Sequence, residues 1–304
     1  MLRICQIKDC QVVDCSDDQG TIWVYTNPSD QEKKHLINEL KIDEHTLASA
    51  LDPDELSRLE FEPDHSALIF KRPKNYSSQD EFLFKVSSVG VFLFRQRLVI
   101  VAPEEVSLFE GKQFQRVCSL SDLLLKMIYR SIYHYLEHLK IINLITDSLE
   151  GKISSSMENK YLLNLFTLEK SLVYYLNAIN SNSMLIEKMK VNASKLGLSQ
   201  EEMEFLDDII IENNQCYRQA EIYSNILAGL MDARVSIVSN NLNVLMKTLN
   251  IITIGIMVPT FVVSAFSMNV GIPLSWHPGA FWMVMSLALV SVVAFMLFWR
   301  FKKW

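Results

Sequence analysis

The chain has 304 residues, 49% of them hydrophobic and 21% charged, with a formal net charge of -6. That length accommodates one sizeable soluble domain plus membrane segments, and an acidic balance without a basic, aromatic-interleaved stripe argues against nucleic acid as a partner. Its nine glycines assemble into neither a phosphate loop nor a dinucleotide fingerprint, so ATP-driven transport is not expected.

MLRICQIKDC at the N-terminus lacks the apolar core of a signal peptide, so the large N-terminal part is expected on the cytosolic side. Residues 1–119 read as a mixed α/β cytosolic domain. Runs rich in β-branched and aromatic residues predict strands at Thr21–Tyr25, Ser66–Arg72, Glu81–Val86, Val89–Phe94 and Arg97–Pro103, with an antiparallel meander through Phe82, Val91 and Val99. Between them, SDQEKKHLINEL and DEHTLASAL predict helices, with Ser29 or Asp30 and Asp43 as N-caps. Cys5, Cys10, Cys15, Cys118 and Cys216 are scattered and match no zinc-site spacing, so reduced thiols are expected.

Residues 120–198 form the helical part of the cytosolic domain, with apolar residues at three-and-four spacing in two helices. His134, Glu137 and His138 fit the H-x-x-E-H pattern of a zinc protease, but two histidines on the polar side of an amphipathic helix are the plainer reading, and no enzyme is expected. Gly197 and a capping box from Ser199 to Glu202 then open a stalk helix, residues 199–248. No proline follows until Pro259, so the run through the first span would be about 65 to 70 residues, roughly 100 Å. The apolar series Leu206, Ile210, Tyr217, Ala220, Ile226, Leu230 and Ile237 is expected to pack against the preceding helix pair or against copies of itself, giving an oligomeric stalk.

Two apolar stretches follow: a first span at 249–268 and a second at 280–299, joined by an extracytoplasmic loop at 269–279 and followed by a basic tail at 300–304. Asn243, Met246, Asn250, Thr253, Met257, Thr260, Ser264 and Ser267 share one face of the first. Amide and hydroxyl groups in hydrocarbon need a partner or water. The stripe therefore lines a pore or glues helices together, and its length, ending at Asn269, favours the pore. The second span has no such stripe and suits lipid. Trp276, Trp282 and Trp299 fit interfacial belts. Lys247 before the spans and Arg300, Lys302 and Lys303 after them, against a loop without Lys or Arg, place both termini in the cytoplasm of a multi-pass cell (inner) membrane protein.

The segment KTLNIITIGIMVPTFVVSAFSMNV, a short loop and a second span at the C-terminus resemble the CorA family of divalent-cation channels. Where that family ends its first span in Gly-Met-Asn, this chain has Ser267-Met268-Asn269. The resemblance implies an α+β fold in a funnel-like homo-oligomer, a homopentamer, whose mixed α/β cytosolic domain and long stalk helix continue into a pore-forming span. It implies passive movement of Mg²⁺, or of Co²⁺ or Ni²⁺, with no cofactor beyond Mg²⁺ as transported and regulatory ion. Asn269 would form the outer selectivity ring, and Met257 and Leu249 apolar constrictions. Asp208, with Asp207 beside it, falls on a carboxylate of the family's regulatory Mg²⁺ site. Ser267 and a loop without Asp or Glu depart from the pattern, and NVGIP is similar to the zinc-transporting branch, so a Zn²⁺ transporter and a non-conducting metal sensor stay open as alternatives.

Overall fold

A computed structural model describes residues 1–15, 20–77, 80–104, 109–155, 159–268 and 276–302. The chain divides into two compact units, Met1–Met231 and Asp232–Trp304.

The first unit is built on a seven-stranded sheet of β1 (Leu2–Lys8), β2 (Gln11–Asp14), β3 (Ile22–Thr26), β4 (Arg58–Phe61), β5 (His65–Pro73), β6 (Val86–Phe94) and β7 (Leu98–Ala102). Their order is β2-β1-β3-β7-β6-β5-β4, antiparallel except for the β3–β7 pair, which runs parallel from Ile22 opposite Leu98 to Thr26 opposite Ala102. The central strands are covered on both faces, which is why they read as continuous apolar runs. On β3 and β7, Trp23, Tyr25, Val99 and Val101 point to one core, and Ile22, Val24, Leu98 and Ile100 to the other.

The first core is closed by α1 (Asp30–Asn38) and α2 (Glu44–Leu51). Ser29 makes a full capping box with Glu32, and Asp43 accepts the Thr46 N–H at 2.9 Å, so both N-termini begin where their cap residues place them. The second core is closed by α3 (Leu120–Ser155), α4 (Asn159–Val191) and the first turns of α5 (Gln200–Phe266). Polar side chains of α4 key it to the sheet region. Asn182 accepts the Lys71 N–H at 2.8 Å and the Ser57 hydroxyl at 2.7 Å, and donates to the Lys71 carbonyl at 2.8 Å. Ser171 accepts the Phe84 N–H at 3.0 Å.

Two expectations are corrected here. Residues 81–86 are no strand: Glu81 and Phe82 have φ of 45° and 69°, so the chain turns there, and β6 begins only at Val86. The meander is instead β4-β5-β6-β7. Cys10 and Cys118 form a disulfide, because the Val117 N–H donates to the Cys10 carbonyl at 2.7 Å and holds the two Cα atoms 4.3 Å apart; Cys5, Cys15 and Cys216 are free. On α5 the seam buried in this unit is Leu206, Ile209, Asn213, Cys216, Ala220 and Leu227, while Ile226 stays exposed. Ile210 and Tyr217 of the predicted series pack against this core beside that seam.

In the second unit, α5 continues without a break through Pro259 to Phe266, and α6 spans Ala280–Lys302. Both helices are long and apolar enough to cross a membrane. Where α6 meets α5 the contact uses small residues: a Cβ on Gly255 would lie 3.7 Å from the Phe295 ring, and Ala288 is buried.

Candidate functional site

The stripe predicted from spacing is a physical face. Asn243, Met246, Asn250, Thr253, Met257, Thr260, Ser264 and Ser267 are all exposed in the chain, as are Leu249 and Met268. The half-covered positions of the same helix are Ile251, Gly255, Val258, Pro259, Val262 and Phe266. At 3.6 residues per turn the centres of these two sets lie about 180° apart. The second helix therefore covers the side away from the stripe and leaves the polar face free. Asn269 lies outside the described residues.

Three hydroxyls of this face are committed in a particular way. Thr253 donates to the Leu249 carbonyl at 2.8 Å, Thr260 to Ile256 at 2.7 Å, and Ser267 to Ser264 at 3.0 Å. Each proton is spent on the helix backbone, so what each group turns outward is oxygen lone pairs. Together with the Asn243 and Asn250 amides, the face offers neutral acceptors at regular steps, chemistry suited to a hydrated cation.

The same spacing continues toward the N-terminus through Ser239, Ser236 and Asp232, also exposed. Sequence reasoning stopped at Asn243 and missed them, although the three-and-four rule already pointed there. Asp232 brings a carboxylate onto this face. Lys247 and Arg300 are exposed at the ends of the two spans; the Lys302 side chain and Lys303 are outside what is described.

Asp207 and Asp208 share the exposed side of α5 in the first unit. Asp207 is ion-paired with Lys190 at 2.7 Å, and Asp208 acts electrostatically on Tyr129 together with Glu212. Among the described residues, no group of three or more His, Cys, Asp or Glu side chains is placed to hold a metal ion within one chain.

The H-x-x-E-H pattern does not assemble a zinc site. His138 is buried, not on the polar side as its helix pattern suggested, and its Nδ1 lies 2.6 Å from the Tyr175 hydroxyl. Glu137 turns away to Arg130 at 3.2 Å. Burial pushes His138 down to about 4 and, with His138, Arg72 and Arg130 adding to it, His134 to about 3.

Two helices long and apolar enough to cross a membrane, one with a free polar face, together with an α/β unit are the parts that a membrane transporter of ions would need. The chain belongs to the family described as CorA-like Mg²⁺ transporter protein, whose model matches residues 18–303. It is similar to the cobalt/magnesium transport protein CorA of Methanocaldococcus jannaschii, 23% identical over 300 residues that cover 95% of this chain and 92% of that one. The complete structure of the CorA magnesium transporter from the same organism matches with a TM-score of 0.84 at 20% identity, over 99% of this chain and 97% of the other. The ZntB cytoplasmic domain from Vibrio parahaemolyticus matches 78% of this chain over 98% of its own length, with a TM-score of 0.60 at 14% identity. At these identities the two solved structures speak to the fold.

Proposed function

We propose that several copies of this chain, five by the family resemblance, bring their α5 stripes to one axis and pass Mg²⁺, with Co²⁺ or Ni²⁺ as further cargo, passively into the cell. The observation that carries this reading is the uncovered polar face opposite α6, exposed at all eight stripe positions. Asn243, Asn250, Thr253, Thr260, Ser264, Ser267 and Asn269 supply oxygens to the hydrated ion, and Met246, Leu249, Met257 and Met268 supply apolar rings that constrict the path between them. Asp232 adds a negative ring at the cytoplasmic end of the path, where cations arrive from the neutral segment.

The driving force is the membrane potential, worth about 2.3 kcal/mol per charge per 100 mV and so about 4.6 kcal/mol for a divalent ion. Both termini face the cytoplasm in this reading, held by Lys247, Arg300, Lys302 and Lys303. Regulatory Mg²⁺ binds between neighbouring copies at Asp208, with Asp207 beside it. Asp208 is exposed on its helix, whereas Asp207 must leave Lys190 to take part.

Uptake into proteoliposomes of Mg²⁺, Co²⁺, Ni²⁺ and Zn²⁺ tests the proposal, with Asn250→Leu, Thr260→Val and Asn269→Ala as pore variants and Val293→Ala, on the exposed side of α6, as control. Selective Mg²⁺ uptake lost in the pore variants and kept in the control is the expected result. Selective Zn²⁺ uptake would replace the ion in this reading. No flux of any ion at several internal Mg²⁺ levels would overturn it in favour of a membrane-anchored sensor.

A further inference from the structure

In the first unit, a cleft of about 370 Å³ opens between the end of β5, the turn at residues 74–77 and 80–85, and the end of β7. Its inner wall is Arg72, only 7% exposed, whose Nε donates to the Pro73 carbonyl at 3.2 Å while Nη1 has no hydrogen-bond partner. A buried guanidinium with an unused donor is costly unless an anion meets it. The carboxylate that faces it is Glu104, and Glu104 is already engaged by Lys74 at 3.2 Å. Asp80, the other acid of the cleft, accepts the Ser77 N–H and hydroxyl, each at 2.8 Å.

Among the described residues, no carboxylate other than Glu104 senses Arg72. Arg130, His134, Tyr135 and His138 are the ionisable groups of α3 that sense it; the histidines are neutral at physiological pH, and burial keeps the Tyr135 phenol protonated. Lys85 stands exposed at the rim, and Tyr76, stacked on Phe84 with ring centroids 4.1 Å apart, forms a flat apolar wall. The volume exceeds that of a bare oxyanion and falls within the range of small-ligand sites.

We propose that this cleft binds a phosphate-bearing small molecule, with the Arg72 guanidinium as its anchor, Lys85 at its mouth and Tyr76 beside the group that carries the phosphate. A planar fork with a free donor matches phosphate oxygens in geometry as well as charge. The site is distinct from the α5 stripe and requires no metal.

Isothermal titration of the full-length protein in detergent with orthophosphate and with ribose 5-phosphate tests this. Tighter binding of the ester identifies an organic phosphate as the ligand, and equal binding of the two identifies free phosphate. Arg72→Met removes the charge at similar length and is expected to weaken binding about 10-fold to 100-fold, and Lys85→Glu, at an exposed position, roughly fivefold. If Arg72→Met does not fold, Lys85→Glu decides alone. Affinity weaker than about 10 mM for both ligands, or variants that bind like the parent, would overturn the proposal.

Discussion

Acidification should weaken the first unit through two histidines in particular. Burial and neighbouring cations hold His138 at about 4 and His134 at about 3 in the folded chain, against about 6.5 in an unfolded one. Above that value both states keep the rings neutral, and the pair contributes nothing to pH dependence. As pH falls through 6.5 the unfolded chain takes up protons that the folded chain refuses, so stability is lost down to the folded values. At pH 5 each ring has cost about 2 kcal/mol, at most about 4 kcal/mol for the two. For a unit of this size that corresponds to about 8–16 °C in Tm. Thermal unfolding of the full chain in detergent at pH 7 and pH 5, comparing the parent with His134→Gln/His138→Gln, isolates this part. Losing the Tyr175 contact lowers stability at both pH values and cancels in the slope, as does acid titration of Asp14, Asp43 and Asp80. A double variant that loses as much Tm as the parent between the two pH values would refute the reasoning.

Replacing Asn182 with Leu leaves the Lys71 N–H, the Lys71 carbonyl and the Ser57 hydroxyl without their partner, and should cost about 3–6 kcal/mol in denaturant unfolding; near-neutral stability would mean that water enters the interface. Maleimide labelling of the denatured, unreduced protein should add three groups, at Cys5, Cys15 and Cys216, and five after reduction; five without reduction would show Cys10 and Cys118 as thiols. A Cβ on Gly90 would sit 2.4 Å from the Cβ of Ala50, so Gly90→Ala should cost about 1–3 kcal/mol, and Ala50→Gly in the same chain should restore part of it.

Periodicity carried the helices and the stripe, because three-and-four spacing is a direct consequence of helical geometry and needs no partner to be visible. Local chemistry carried the starts of α1, α2 and α5, where Ser29, Asp43 and Ser199 cap within three residues. The strands were legible where both faces are buried, as in IWVYT and LVIVA. They were hidden in β2 and β4, four residues each, and in β1, where Arg3, Gln6 and Lys8 dilute the apolar signal. Phe82 and Phe84 looked like strand residues because β-propensity reports burial as much as backbone shape. The Cys10–Cys118 bridge spans 108 residues, and the roles of Asn182 and Arg72 depend on what the folded chain sets opposite them. Local sequence holds no trace of such encounters. Counting the stripe back to Asp232 needed only the rule already in use.

The parallel pairing of β3 with β7 sets a timetable for biosynthesis. Ile22–Thr26 has no permanent neighbour on that edge until Leu98–Ala102 has left the ribosome, so this early strand must wait for a partner more than seventy residues away. The hydrophobic run that begins near residue 249 emerges roughly 150 residues later, about 7–30 s at ordinary rates of elongation. The sheet can thus close, and Asn182 can engage Lys71, before any membrane-seeking segment is exposed. Slowing that closure, more than weakening the finished fold, is the route by which a strand variant would compromise insertion.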